Sequence, residues 1–233
     1  MYEKELKELL SSLGAVNCGF AFVGDCLPDD VPRRLVNAVS FTYKLSSAVL
    51  ETITDRPSIM YFQHYRAVNA RLDSICLDVV RFIEEKGFSA FPIAASQSRN
   101  GEEEKYNGVF PHKTAAVRAG MGSIGMNNLF IDRRCGIGVR LATVLTDLPL
   151  DTSAGMSPHY CTGCGKCVSA CPAGALKGVV WKEGMKREDI FDPKKCSEWM
   201  KTYKDIGRGA VCGLCMKACP YLTEKPEDRF SVL

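Results

Sequence analysis

Two stretches near the end of the chain, CTGCGKCVSACP at 161–172 and CGLCMKACP at 212–220, limit what the chain can fold into. Eight of its 12 cysteines lie between Cys161 and Cys219, while Cys18, Cys26, Cys76 and Cys135 are scattered. Disulfide scaffolds spread their cysteines through small secreted chains, whereas dense C-x2-C spacing in an intracellular setting reads as metal ligation. In a C-x2-C-x2-C-x3-C-P run the first three cysteines wrap one cubane and the fourth is carried to another. Cys161, Cys164 and Cys167 are therefore expected to share one cluster, completed by Cys219 returning from the second run. Cys171, Cys212 and Cys215 belong to the other, which lacks a ligand because the second run has lost its first cysteine. Cys196, sixteen positions before Cys212, is the nearby cysteine left to fill the place. Zinc also takes four cysteines, but two interlocked runs of this form point to two [4Fe–4S] clusters.

Hydrophobic periodicity organises the rest. Leu6, Leu9, Leu10 and Leu13 mark a helix ending at Gly14, and AVNCGFAFVG and NAVSFTYK read as strands. Pro57 opens the longest helical stretch, with Leu72, Ile75, Val79 and Phe82 on one face and Gly87 as its stop. FSAFPIAAS is a strand, SQSRNGEEEKYNG a polar loop bordering a binding site, and His112–Ala119 a short helix. NNLFID and GVRLATVLTD are strands. This alternation predicts an α/β layered domain over residues 1–155, followed by a small ferredoxin-like 2[4Fe–4S] domain over 156–233, with the boundary near 150–158. The second unit is too small to bury a sufficient core alone, so bound metal is expected to stabilise it.

A net charge of +3 does not suggest a nucleic-acid binder. The acidic, amphipathic start MYEKELKELLSSLG is not a leader sequence, and no apolar run is long enough to span a bilayer. A cytoplasmic protein without membrane contact is expected.

Several other features bear on chemistry. GMGSIG, Gly120 to Gly125, fits the G-x-G-x-x-G dinucleotide pattern, but it follows a helix and precedes a strand, the reverse of what that fingerprint needs. A tight glycine turn approaching some other cofactor fits better, with Gly120, Gly122 and Gly125 as its contacts. His112 and Lys113 stand at a helix start, where N–H groups favour anions, and Arg118 is similar; solvated basic surface is the plain alternative. His64 reads as a satisfied boundary histidine and His159 as a neighbour of the first cluster. Trp199 and Tyr203 either cover the second cluster or simply pack the core. Cys18, Cys26 and Cys76 read as buried small hydrophobes, and Cys135 as structural.

With Cys196 placed, the chain resembles the epoxyqueuosine reductase and reductive dehalogenase group. The resemblance rests on VRAGMGSIGMNNLFID, LATVLTDLPL, YFQHYRAVNARLD and the two cysteine runs with their displaced cysteine, over about 37–222. It implies a corrinoid-binding α/β domain joined to a double-cluster domain. Low-potential electrons would pass through the clusters to a cobalamin, with Lys113, Arg118 and the three glycines near the cofactor. An electron donor such as ferredoxin or flavodoxin, a small-molecule or corrinoid-protein acceptor, and anaerobic or low-oxygen metabolism are further expectations. Three departures matter. The helical-repeat domain that helps the reductase hold tRNA does not follow Cys219, which argues against a tRNA substrate. The group's catalytic aspartate, in a DTAPV-like run, is replaced by FPHKTAAVRAG, leaving His112 or Tyr106 as the expected proton donor. The Trp and Lys of a GWIGK-like run are replaced by Ser123 and Met126. The alternatives are a non-enzymatic electron-transfer module docking a partner, or a flavin-dependent reductase.

Overall fold

The computed structural model describes residues 2–97 and 106–226. Most of the polar SQSRNGEEEKYNG stretch and the end of EKPEDRF lie outside the described residues. The chain forms two compact units, and each is assembled from separated segments. The first gathers 1–44, 68–122 and 140–158, and the second gathers 45–67, 123–139 and 159–233. Segments 45–67 and 123–139 thus belong with the cysteine-rich segment. A single cut in the sequence does not describe this division.

In the first unit, α1 (Tyr2–Ser12) buries Leu6 and Leu10 completely. It is followed by β1 (Asn17–Phe22) and β2 (Asn37–Lys44), paired antiparallel with Asn17 opposite Thr42 and Phe22 opposite Asn37. After α2 (Ser47–Glu51) comes the long α3 (Ile59–Glu85). Its buried stripe is Leu72, Ile75, Cys76, Val79 and Ile83. Phe82, expected on that stripe, is only half-buried and lies beneath the Lys86 ammonium, 5.1 Å from its ring centre. A helical face recurs at three and four residues, so Val79 is followed on the same face by Ile83. Strand β3 (Ala90–Ile93) and helix α4 (His112–Arg118) follow. A short ribbon formed by β4 (Gly122–Ile124) and β5 (Phe130–Asp132) belongs to the second unit from Ser123 on, and β6 (Val139–Thr146) completes the main sheet. That sheet has the order β1-β2-β6-β3, with β3 antiparallel to β6. The middle strands are buried almost continuously, Ala38–Thr42 in β2 and Leu141–Thr146 in β6, so both faces of the sheet are covered. Helix α4 packs on β1 so tightly that a Cβ at Gly19 would stand 2.7 Å from the Ala119 carbonyl oxygen.

The second unit is built from short pieces: α5 (Lys166–Ser169), α6 (Arg187–Ile190), α7 (Pro193–Met200), α8 (Leu214–Lys217) and a 3₁₀ turn, Pro220–Leu222. Among its buried apolar residues, Met126, Cys167 and Leu176 cluster together, as do Phe62, Ile206 and Ala210. Among the described residues no helix is long and apolar enough to cross a membrane.

Candidate metal centres

The two cysteine runs fold alike because they are written alike. In CGKCVSACP, Gly165 precedes α5, and in CGLCMKACP, Gly213 precedes α8. Both glycines are left-handed, with φ of 72° and 75°, a conformation that costs a residue with a Cβ about 1–2 kcal/mol. The turn lets the chain reverse between the second and third cysteines of each C-x2-C step. Cys167 and Cys215 sit in the first turns of α5 and α8, and Cys171 and Cys219 just past their ends, each followed by a proline. The two helices pack on each other, so each run hands its last cysteine toward the other's group.

Cys161, Cys164, Cys167 and Cys219 line one hollow, whose wall is completed by Gly125, Met126, Asn127, Ile131 and Tyr221. The Met126 N–H donates to Cys161 Sγ at 3.4 Å. Tyr221 Oη donates to the Tyr160 carbonyl at 3.0 Å, tying the approach to the first run to the end of the second. Ser123 Oγ accepts the Tyr160 N–H at 3.0 Å. Burial, then the Cys167, Cys161 and Cys164 thiols, push the Cys219 thiol up to about 11.

The second group is Cys171, Cys196, Cys212 and Cys215. Burial, then Cys212 and Cys171, push Cys196 up to about 11, and burial, then Cys212, Cys196 and Cys171, push Cys215 up to about 12. Cys196 arrives on α7, whose start is set by Asp192: its Oδ1 accepts the Lys195 N–H at 3.0 Å and Pro193 fills the first helical position. Gly209, with φ 79°, stands where a second copy of Cys161 would fall in the repeat. The Ala175 N–H donates to Cys171 Sγ at 3.4 Å.

The donor chemistry fits the two cubanes that the sequence implies. Eight thiols are gathered into two groups of four, and without a cation burial raises the Cys167, Cys196, Cys212, Cys215 and Cys219 thiols. A coordinated iron reverses that, since its charge deprotonates a ligating thiol outright. The open centre of the first group suits a cubane, whereas a lone zinc would draw all four sulfurs to about 2.3 Å from one point. Among the described residues no three His, Cys, Asp or Glu groups close round a single ion. All 12 cysteines are free of disulfides.

The residues named for a cofactor in the α/β domain are not gathered in this way. His112 has both ring nitrogens engaged: Nε2 donates to the Ala94 carbonyl at 3.0 Å and Nδ1 accepts from the Thr143 hydroxyl at 2.9 Å. Burial holds its pKa down to about 4. Arg118 makes two hydrogen bonds to Asp25, at 2.5 and 2.9 Å. A Cβ on Gly120 would stand 2.8 Å from the Gly155 carbonyl oxygen, and Gly122 opens β4. Gly125 belongs to the other unit and lines the first hollow of thiols. Lys113 is half-buried in the first turn of α4, and Tyr106, with φ 73°, sits at the edge of the described residues. His64 Nε2 accepts the Ser46 N–H at 2.9 Å, and exposed His159 stacks on Trp181 with 6.5 Å between centres. The contribution of Gly125–Asn127 to the first hollow had only one signal in the sequence, the glycine turn itself.

Residues 160–222 match the family model described as 4Fe-4S double cluster binding domain. An epoxyqueuosine reductase of Listeria monocytogenes serovar 1/2a is 32% identical over 116 residues, 46% of this chain and 28% of its own length. A tetrachloroethene reductive dehalogenase of Sulfurospirillum multivorans is 29% identical over 150 residues, covering 60% of this chain and 27% of its own. A solved reductive dehalogenase, titled as suggesting a mechanism for B12-dependent dehalogenation, superposes with a TM-score of 0.76 at 20% identity, over 97% of this chain and 33% of that one. The chain spans less than a third of the length of the two curated relatives. With its thiols gathered as described, this chain is similar to epoxyqueuosine reductases and reductive dehalogenases, with a mixed α/β domain followed by a 4Fe-4S double cluster domain.

Proposed function

We propose that the chain is an iron–sulfur reductase that carries low-potential electrons through two [4Fe–4S] clusters to a corrinoid acceptor. The observation that carries this reading is the gathering of eight thiols into two interlocked groups. Cys161, Cys164, Cys167 and Cys219 hold one cluster and Cys171, Cys196, Cys212 and Cys215 the other. When bound, such clusters supply one-electron carriers whose potentials follow charge, solvent exposure and hydrogen bonds to sulfur. Cys171 and Cys219 each leave their own run to finish the opposite group, which keeps the two centres close in one framework. Exposed Cys164 puts one edge of the first group at the surface, where a ferredoxin- or flavodoxin-type donor could deliver electrons.

A corrinoid acceptor is supported by the likeness to a structure titled for B12-dependent dehalogenation. No step is assigned to Lys113, Arg118 and the glycines of the 120–125 turn. The proton donor stays proposed as His112 or Tyr106, and as folded His112 spends both ring nitrogens on Ala94 and Thr143. A second reading is an electron carrier that hands electrons to a docked protein, with exposed Cys164 as the edge of the first group that such a partner would meet.

The test is anaerobic purification with iron, acid-labile sulfide and cobalt analysis, followed by a spectral titration with hydroxocobalamin. About eight irons with saturable binding support the reductase. The same iron with no response leaves the electron carrier, and fewer than about four irons after careful reconstitution overturns the ligand scheme.

A further inference from the structure

Between Gly125 and Leu129 the chain makes a tight turn that touches both groups of thiols. The Gly125 N–H donates to the Leu129 carbonyl and the Asn128 N–H to the Gly125 carbonyl, each at 2.8 Å. Asn127 is buried inside this turn, 4% exposed. Its Oδ1 accepts the Leu129 N–H at 3.2 Å, and its Nδ2 donates to the Cys215 carbonyl at 3.2 Å. A buried amide costs free energy unless its donor and acceptor atoms find partners, and here both do. One residue earlier, the Met126 N–H donates to Cys161 Sγ at 3.4 Å. The Met126 side chain is buried in a cluster with Cys167 and Leu176, against which Cys161 and Cys215 also pack. Two successive residues thus reach a sulfur of the first group and a backbone carbonyl of the second. Gly125 makes room for this arrangement, since a Cβ there would stand 2.8 Å from Asn127 Oδ1.

A donor aimed at a cluster sulfur favours the more negatively charged, reduced state, and so raises the potential. The donor at Cys161 is a backbone N–H, so its aim depends on what fixes the turn and not on the Met126 side chain. The Asn127 amide fixes it from outside, by its bond to Cys215. Resting on the two-cluster reading above, we propose that Asn127 is a positioning residue. By anchoring the 125–129 turn to Cys215 it aims the Met126 N–H at the Cys161 sulfur, and so raises the reduction potential of the cluster held by Cys161, Cys164, Cys167 and Cys219. The step that it tunes is the gain of one electron by that cluster from an external reductant. No bond to the protein is made or broken. In the second group the Ala175 N–H donates to Cys171 Sγ from outside this turn, so that donor does not depend on Asn127.

The experiment is an anaerobic redox titration of the reconstituted full chain, followed by electron paramagnetic resonance, with dithionite as reductant. The first cluster's midpoint is identified as the one that survives in Cys196→Ser. In Asn127→Ala it is expected to move to more negative potential by about a tenfold change in the reduction equilibrium, ~59 mV for one electron. The other midpoint and the iron content stay at their wild-type values. Met126→Leu keeps the backbone N–H and the buried apolar volume, so both of its midpoints are expected at wild-type values. Full iron in Asn127→Ala with both midpoints unmoved, or both moved together, or a shift to more positive potential, overturns the positioning role while the two-cluster reading stands. A shift in Met126→Leu as large as that in Asn127→Ala overturns it too, because the side chain would then be the cause. If Asn127→Ala fails to hold iron, Asn127→Ser, too short to reach Cys215, decides by the same criteria. Failure of both to hold iron makes Asn127 a requirement for assembly and overturns its role in the potential. A wild-type chain that cannot be loaded with about eight irons overturns the two-cluster reading and this role with it.

Discussion

Burial first, and then the neighbouring thiols, push Cys215 up to about 12. The ligand whose loss is most informative is Cys196, because nothing in either run repeats it. Cys196→Ser is expected to lose about four of about eight irons and one of two paramagnetic signals. Retention of both signals would mean that another group completes the second centre. His112 makes a different prediction. Its folded pKa, down at about 4, lies below the ordinary 6.5, so between those values the unfolded chain holds more protons than the fold. The stabilisation is whole above about pH 6.5 and is lost as pH falls through about 4, up to about 3 kcal/mol in all. Urea midpoints at about pH 7.5 and about pH 5 should fall further in the wild type than in His112→Gln. Equal falls would show that the ring is not the group responsible.

Among the elements, the turn after β5 is the least tolerant. Asp132 and Gly136 exchange both backbone hydrogen bonds at 2.9 Å, and the Ile137 N–H donates to the Tyr221 carbonyl at 2.9 Å. A Cβ on Gly136, at φ 78°, would stand 2.0 Å from that carbonyl oxygen. Gly136→Ala is therefore expected to destabilise by about 3–5 kcal/mol and to loosen the 3₁₀ turn beyond Cys219. Thermal unfolding checks it, and a change under about 1 kcal/mol would refute it. The same turn explains what the sequence could and could not tell. α1, β1, β2, α3 and β6 are legible because a single period runs through each and ends at a glycine or a polar residue. The cysteine scheme is legible because ligand spacing is a local constraint. By contrast, β4 has three residues, too few for a period, and it hides inside a glycine pattern that suggested a cofactor turn. Nothing local says that Gly125 will line a hollow of cysteines some forty positions away, or that Gly213 will rest on Tyr61. Those placements come from long-range packing, which short-range pattern does not encode.

For the whole molecule, the two units differ in what holds them. The first has a sheet buried on both faces, with α1, α3 and α4 supplying a continuous core. The second gathers its eight thiols among short helices, so its order is expected to depend on the bound clusters. Removing iron with a chelator under anaerobic conditions should strip amide-exchange protection from α5, α7 and α8 while β1, β2 and β6 stay protected. Uniform loss across both units would instead make them one cooperative system. The interleaving of segments has a consequence for synthesis. Residues 45–67 emerge early, but their partners within the second unit continue to Tyr221 and beyond. At ordinary rates of translation, on the order of ten to thirty seconds pass between the two. Throughout that interval Tyr61 and Phe62 lack the surfaces that bury them in the finished unit, so the nascent chain presents two aromatic rings to whatever holdase reaches it first.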